Sequence, residues 1–267
     1  MQSNKYCING EGAKMSIIKL GFKDRTLLFA KLSSIAYNNT KTATSQAKRL
    51  GFTTTEFYDR DGAQAYRFMN KTDIVIACRG TQPNEFNDIR ADLRAVPVMA
   101  ETVGKVHLGF KQEVDDLWPM VCEDINRKVN LKKHLWFCGH SLGAAMATIM
   151  ASRCLHNEEL NDPVELHTYG SPRVGWRKYV KSLGVTHHRW VNNNDIVTAV
   201  PLWIMGYVHH GEKHYINAYG NVRNPSGWQL FKDRMRGMWM GIKKKRIDNF
   251  SDHNISDYIK HIDNWKS

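Results

Sequence analysis

The chain has 267 residues, 42% of them hydrophobic and 24% charged, with a formal net charge of +12. These proportions suit a globular domain with a full-sized core and exclude wholesale disorder, collagen and coiled coil. The longest near-apolar run, 144–151, is far too short to span a bilayer, so no transmembrane segment is expected. Met1 to Lys5 lead into polar sequence without an apolar h-region, so the expectation is a cytoplasmic protein, or one released without a cleaved signal peptide. Five cysteines, an odd number with no C-x-x-C pair, read as reduced and mostly buried thiols.

In chain order, 1–23 reads as a loose polar leader, and 24–267 as a single domain. Asp24 precedes a helical pattern of Leu27, Leu28, Leu32, Ile35 and Ala36. A short helix over 43–50 ends at Gly51, a residue suited to a left-handed cap. Strands over 52–59 and 63–69 are joined by Arg60-Asp61-Gly62, a hairpin turn signal. The continuous apolar run 74–78 predicts a strand buried on both faces. A helix over 108–129, kinked at Pro119, is followed by a strand (134–138), a helix (141–156), a strand (164–169), a helix (176–183) and a strand (186–191). This alternation predicts an α/β fold with a mostly parallel central sheet and helices on both faces. Ligand sites in such sheets lie at the carboxyl ends of the strands.

Gly139-His140-Ser141-Leu142-Gly143 follows one of those strands and opens a helix. G-x-S-x-G in this context is a nucleophile turn, which holds a serine hydroxyl up from the sheet edge in a strained backbone conformation. A serine hydroxyl needs a base and a group to orient that base, and on this architecture they follow in the order serine, acid, histidine. Among the aspartates after Ser141, Asp195 alone directly follows a strong strand, through the turn Asn192-Asn193-Asn194. His209, His210, His214, His253 and His261 all lie beyond it. Local signals favour His253, just before the amphipathic stripe Ile255, Tyr258, Ile259 and Ile262, with His209 and His210 as alternatives. His210 and His214 have i,i+4 spacing, but no acidic residue shares a helical face with them, so no metal is assigned there.

Seven ordered motifs resemble those of the class 3, or fungal-type, lipase family of α/β-hydrolases. They are Arg79-Gly80-Thr81, Val106-His107-Leu108-Gly109-Phe110, the turn at Gly139 to Gly143, and Tyr169-Gly170-Ser171-Pro172-Arg173-Val174-Gly175, followed by Val191 to Val197 with Pro201, Gly206-Tyr207-Val208-His209-His210-Gly211 and Asp252-His253. The resemblance implies Ser141 as nucleophile, Asp195 as orienter and His253 as base, with oxyanion donors at Thr81 and at the Leu142 N–H. It implies no cofactor, and an ester-lipid substrate such as a triacylglycerol or phospholipid. The alternatives are an esterase on small soluble esters and a non-catalytic lipid-binding protein on the same scaffold. It also implies a short helical lid between Thr81 and Val106, where Phe86, Ile89 and Leu93 form one apolar stripe.

Half of the net charge lies in 228–246, where seven basic residues face one acidic residue. Trp228, Phe231, Met235, Met238, Trp239 and Ile242 recur on one helical face, with Lys243, Lys244, Lys245 and Arg246 at its end. A cationic amphipathic helix of this kind predicts peripheral contact with an anionic membrane surface. No nucleic-acid-binding signature accompanies the charge, so no nucleic-acid partner is expected.

Overall fold

A computed structural model describes residues 16–80, 95–223 and 251–266. Two helices, α1 (Phe22–Ile35) and α2 (Thr40–Arg49), precede the sheet. A hairpin of β1 (Thr54–Arg60) and β2 (Ala63–Met69) turns through Asp61 and Gly62, both at positive φ, and leads into β3 (Asp73–Cys78). Two short strands, β4 (Pro97–Met99) and β5 (Lys105–His107), run into α3 (Leu108–Ile125), which carries Pro119 inside it and ends four residues before the expected boundary. Then come β6 (His134–His140), α4 (Leu142–Leu155), β7 (Pro163–Tyr169), β8 (Gly175–Trp176), α5 (Arg177–Ser182) and β9 (His187–Asn192). The chain closes with β10 (Tyr207–Val208), β11 (Glu212–Ile216), β12 (Val222–Arg223) and α6 (Ile255–Asp263).

The main sheet has the order β1-β2-β3-β6-β7-β9-β11-β12. Its five central strands, β3 through β11, are parallel, and the outer pairs are antiparallel. This is the mostly parallel α/β sheet that the alternation predicts, and the order agrees with the α/β-hydrolase fold that the resemblance implies. A second, four-stranded antiparallel sheet, β10-β8-β5-β4, comes from segments with no strand signal of their own.

The continuous apolar runs of the central strands have a simple cause. Ile74, Ile76 and Cys78 of β3, with Leu135 and Phe137 of β6, pack toward α3 and α4. The alternate residues Val75, Ala77, Trp136 and Cys138 pack toward α1, α2 and α6. A strand covered on both faces has no polar positions to spare. Cys78, Cys122, Cys138 and Cys154 are all free thiols.

Of the expected leader 1–23, residues 1–15 lie outside the described residues, and 16–23 depart from it. Ile17 is buried, and its N–H donates to the Asp73 carboxylate at 3.1 Å. Asp73 also accepts from Ser16 Oγ at 3.3 Å and from Trp136 Nε1 at 2.9 Å. A buried carboxylate at the start of β3 therefore ties this stretch to the core, and α1 begins before Asp24, at Phe22. Among the described residues no helix is long and apolar enough to cross a membrane.

Candidate active site

The turn after β6 places Ser141 at φ 60°, ψ −131°, as the N-cap of α4. A non-glycine residue in this region stores about 1–3 kcal/mol of strain, held in place by the surrounding packing. The strain lets strand and helix meet at one residue. The approach is so close that a Cβ on Gly143 would run into the Cys78 carbonyl oxygen.

Three separate segments converge on Ser141. Its hydroxyl lies 2.7 Å from His253 Nε2, and His253 Nδ1 lies 2.9 Å from each oxygen of Asp195. All three side chains are buried. Because the carboxylate only accepts, Nδ1–H donates to Asp195, and Nε2 is left to accept the Ser141 proton. Asp195 is pinned in turn: one oxygen accepts the Val197 N–H at 3.0 Å, and the other accepts the Tyr258 hydroxyl at 2.5 Å.

His253 reaches this position through Asp252. The Asp252 carboxylate accepts from Asn193 Nδ2 at 3.0 Å and from the Asn194 N–H at 3.2 Å, while its carbonyl accepts from Asn192 Nδ2 at 2.9 Å. The three asparagines that turn the chain into Asp195 thus also hold the residue before His253. Tyr258 closes the arrangement by accepting the Asn192 N–H at 3.0 Å while donating to Asp195. Burial and the adjacent Asp195 carboxylate push the Tyr258 hydroxyl well above its ordinary pKa, so it remains a donor.

His140 supports the other side. Its ring lies 4.5 Å from that of His253, centroid to centroid. Burial, with the neighbouring His253 second, holds His140 well below its ordinary pKa and so neutral. Its Nε2–H donates to the His253 carbonyl at 2.7 Å, leaving Nδ1 to accept the Tyr37 hydroxyl at 2.9 Å. Beneath the pair lies Gly170, at φ +59°, where a Cβ would stand 2.7 Å from Asp195 Oδ2 and 2.8 Å from the His253 ring. Only glycine leaves this floor open.

Ser141, Asp195 and His253 are therefore brought together. His209 and His210 are not: their Nε2 atoms reach the backbone carbonyls of Thr198 (2.8 Å) and Leu183 (2.9 Å). Leu142 opens α4 directly behind Ser141, where a helix leaves its first N–H groups without intrahelical acceptors. Thr81, the stripe Phe86, Ile89 and Leu93, and the basic segment 228–246 lie outside the described residues. Sequence reasoning missed Asp252 as an anchor, His140 and Tyr37 as supports, and Tyr258 as a polar partner. Tyr258 fell on an apolar stripe, which accounts for its ring but gives no sign of where its hydroxyl bonds.

A family model described as lipase (class 3) matches residues 75–205. A lipase of Rhizomucor miehei is 33% identical over 185 residues, covering 65% of this chain and 50% of that protein. Toxin TseL of Vibrio cholerae is 29% identical over 201 residues, covering 58% of this chain and 31% of the toxin. The chain thus spans about half the length of the first relative and less than a third of the second. The solved structure of the Rhizomucor miehei triacylglyceride lipase superposes with a TM-score of 0.62 at 24% identity, covering 72% of this chain and 79% of that one, a likeness of fold. The family match over 75–205, the fungal relative and the shared fold, with the seven motifs in their order, all make this chain similar to the class 3 lipases, on an α/β-hydrolase fold.

Proposed function

We propose that this chain hydrolyses carboxylic esters of acyl lipids through an acyl-serine intermediate. The observation that carries the reading is the unbroken relay from Ser141 Oγ through His253 to Asp195, mounted on a strained strand-to-helix turn. His253 Nε2 takes the Ser141 proton as Oγ attacks the ester carbonyl. The imidazolium that forms is stabilised by Asp195, which keeps its own charge. The tetrahedral oxyanion takes a hydrogen bond from the Leu142 N–H, with Thr81 as the second donor. Loss of one such donor typically costs about 3 kcal/mol of transition-state stabilisation. His253 then returns the proton to the leaving alcohol, and water, deprotonated by the same nitrogen, releases the acid and regenerates Ser141. No step calls for a cofactor.

Ester lipids are the proposed substrates because the family and the fungal relative are lipases. In the same reading, Phe86, Ile89 and Leu93 line a lid over Ser141, and 228–246 rests on an anionic membrane surface, a peripheral placement without a transmembrane segment. A phosphonate ester probe should label Ser141 and nothing else, and a panel of esters of increasing acyl length, assayed with and without a lipid interface, should favour long chains at the interface. Labelling that persists in Ser141→Ala would remove the nucleophile assignment. A flat response to chain length would leave an esterase for soluble substrates.

A further inference from the structure

A second group of ligating side chains sits at the opposite end of the sheet. His188 is the second residue of β9, four residues and about 13 Å of strand before Asn192, the end that carries the reacting groups. The parallel register sets Glu212 of β11 directly beside His188, and sets His214 beside Trp190. Residues two apart on a strand share a face, so Glu212, His214 and His188 meet on one side of the sheet. His188 Nδ1 lies 3.1 Å from His214 Nε2. Glu212 Oε2 lies 3.8 Å from the first nitrogen and 3.9 Å from the second. The carboxylate is thus beyond hydrogen-bond reach of both rings yet almost equidistant from them.

Those three distances define a triangle whose centre is about 2.1 Å from every corner, the length of a zinc–imidazole or zinc–carboxylate bond. The geometry points to a Zn²⁺ site formed by His188 Nδ1, His214 Nε2 and Glu212 Oε2, with water as the fourth ligand. Two imidazoles and one carboxylate form a donor set well suited to zinc. Glu212 is 67% exposed at its side chain, which leaves a path for the ion, whereas both histidines are 13% exposed.

The rings are held in place before any ion arrives. His214 stacks on Trp190 at 4.8 Å and 23°, and Phe22 meets His188 edge-on at 4.7 Å. Ligating atoms of Glu165 and His167 lie within 4.8 Å of one on His188, and Glu165 is itself fixed by Arg25 at 2.9 Å. The ion would staple β9 to β11 far from Ser141, so this site is independent of the hydrolytic reading.

The test is equilibrium dialysis of the full, tag-free chain against low-micromolar zinc, with metal content read by mass spectrometry and stability by thermal melting. One zinc per chain and a Tm raised by several degrees are expected. His188→Ala and His214→Ala should each abolish both effects. Glu212→Gln, at an exposed position that leaves the core intact, should weaken zinc binding at least tenfold while hydrolysis of a soluble ester is unchanged. His210→Ala, which removes a ring 3.0 Å from that of His187 and outside this cluster, should bind zinc like the parent. A folded parent chain that retains no zinc, or zinc retained equally by Glu212→Gln and His214→Ala, would overturn the site.

Discussion

The two ends of the central sheet gather their side chains by different means. At the carboxyl end, Ser141, Asp195 and His253 come from a turn, a loop and a helix start that are distant in sequence, and every member is tied by hydrogen bonds to neighbours that are themselves tied. At the amino end, His188, Glu212 and His214 are aligned by strand register, with one hydrogen bond between the two histidines and aromatic rings as their lateral support. The first arrangement leaves its central groups no freedom. The second leaves the Glu212 carboxylate beyond hydrogen-bond reach of both rings. Reaction geometry must be held to a fraction of an ångström, whereas an ion can draw in ligands that stand a few tenths of an ångström away.

The sharpest way to break the carboxyl end is to remove its members. Ser141→Ala, Asp195→Asn and His253→Ala should each lower kcat on a chromogenic ester by about 10⁴-fold or more. Melting temperature should change little, because none of the three fills the core. If His210→Ala were as damaging with the fold intact, the relay through His253 would be the wrong one.

The supports should show smaller losses with a telling split. Asp252→Ala removes the anchor to Asn193 and Asn194, and a misplaced His253 should cost about 10- to 100-fold in kcat with KM nearly unchanged. Gly170→Ala forces a methyl against Asp195 and His253 and should do comparable harm. Tyr258→Phe leaves the Asn192 N–H and one Asp195 oxygen short of a partner, so it should also lower stability by about 1–3 kcal/mol. Steady-state kinetics and thermal melts on the same samples separate the two effects.

Acid should act on the whole fold and not on one end. Burial lowers His107 from 6.5 to about 4 and His209 to about 3, and holds His140 well below its ordinary value. Unfolded, these rings take up protons as the pH falls through about 6.5; folded, they refuse them until far lower. The unfolded chain then binds more protons, so stability is full above about pH 6.5 and declines as the pH falls toward the folded values. Each refused proton is worth on the order of 1 kcal/mol per pH unit. A Tm series from pH 8 to 4.5 should be flat and then fall steeply; a Tm that rises below pH 6 would contradict the neutral assignment.

The smallest expected effect concerns the cationic, amphipathic sequence pattern of 228–246. Replacing Lys243, Lys244 and Lys245 by Gln should weaken co-sedimentation with phosphatidylserine vesicles and flatten its salt dependence. Hydrolysis of a soluble ester should be unaffected. Equal binding to neutral and anionic vesicles would remove the electrostatic contact.

The sequence by itself determined the layered α/β class, the turn around Ser141 and the order serine, acid, base. Apolar runs of strand length between helical patterns leave few other architectures, and G-x-S-x-G is a local device whose glycines are needed within the turn itself. Asp195 was legible because its turn ends a strong strand. Local signals and the family resemblance both favour His253 over His209 and His210, but only the tertiary contacts to Ser141 and Asp195 distinguish it from them. Tertiary structure alone decided the rest. The hydroxyl of Tyr258, the clamp on Asp252 and the tautomer of His140 depend on partners far away in the chain. The same holds for Ile17, whose place in the core is set by a carboxylate 56 residues on. His214 shows the reason most plainly: its sequence spacing suggested a pairing with His210, but β11 is extended, so its neighbours are Glu212 on its own strand and His188 across the register. Local spacing predicts partners only when the backbone conformation is known, and for strands the partner lies on another strand.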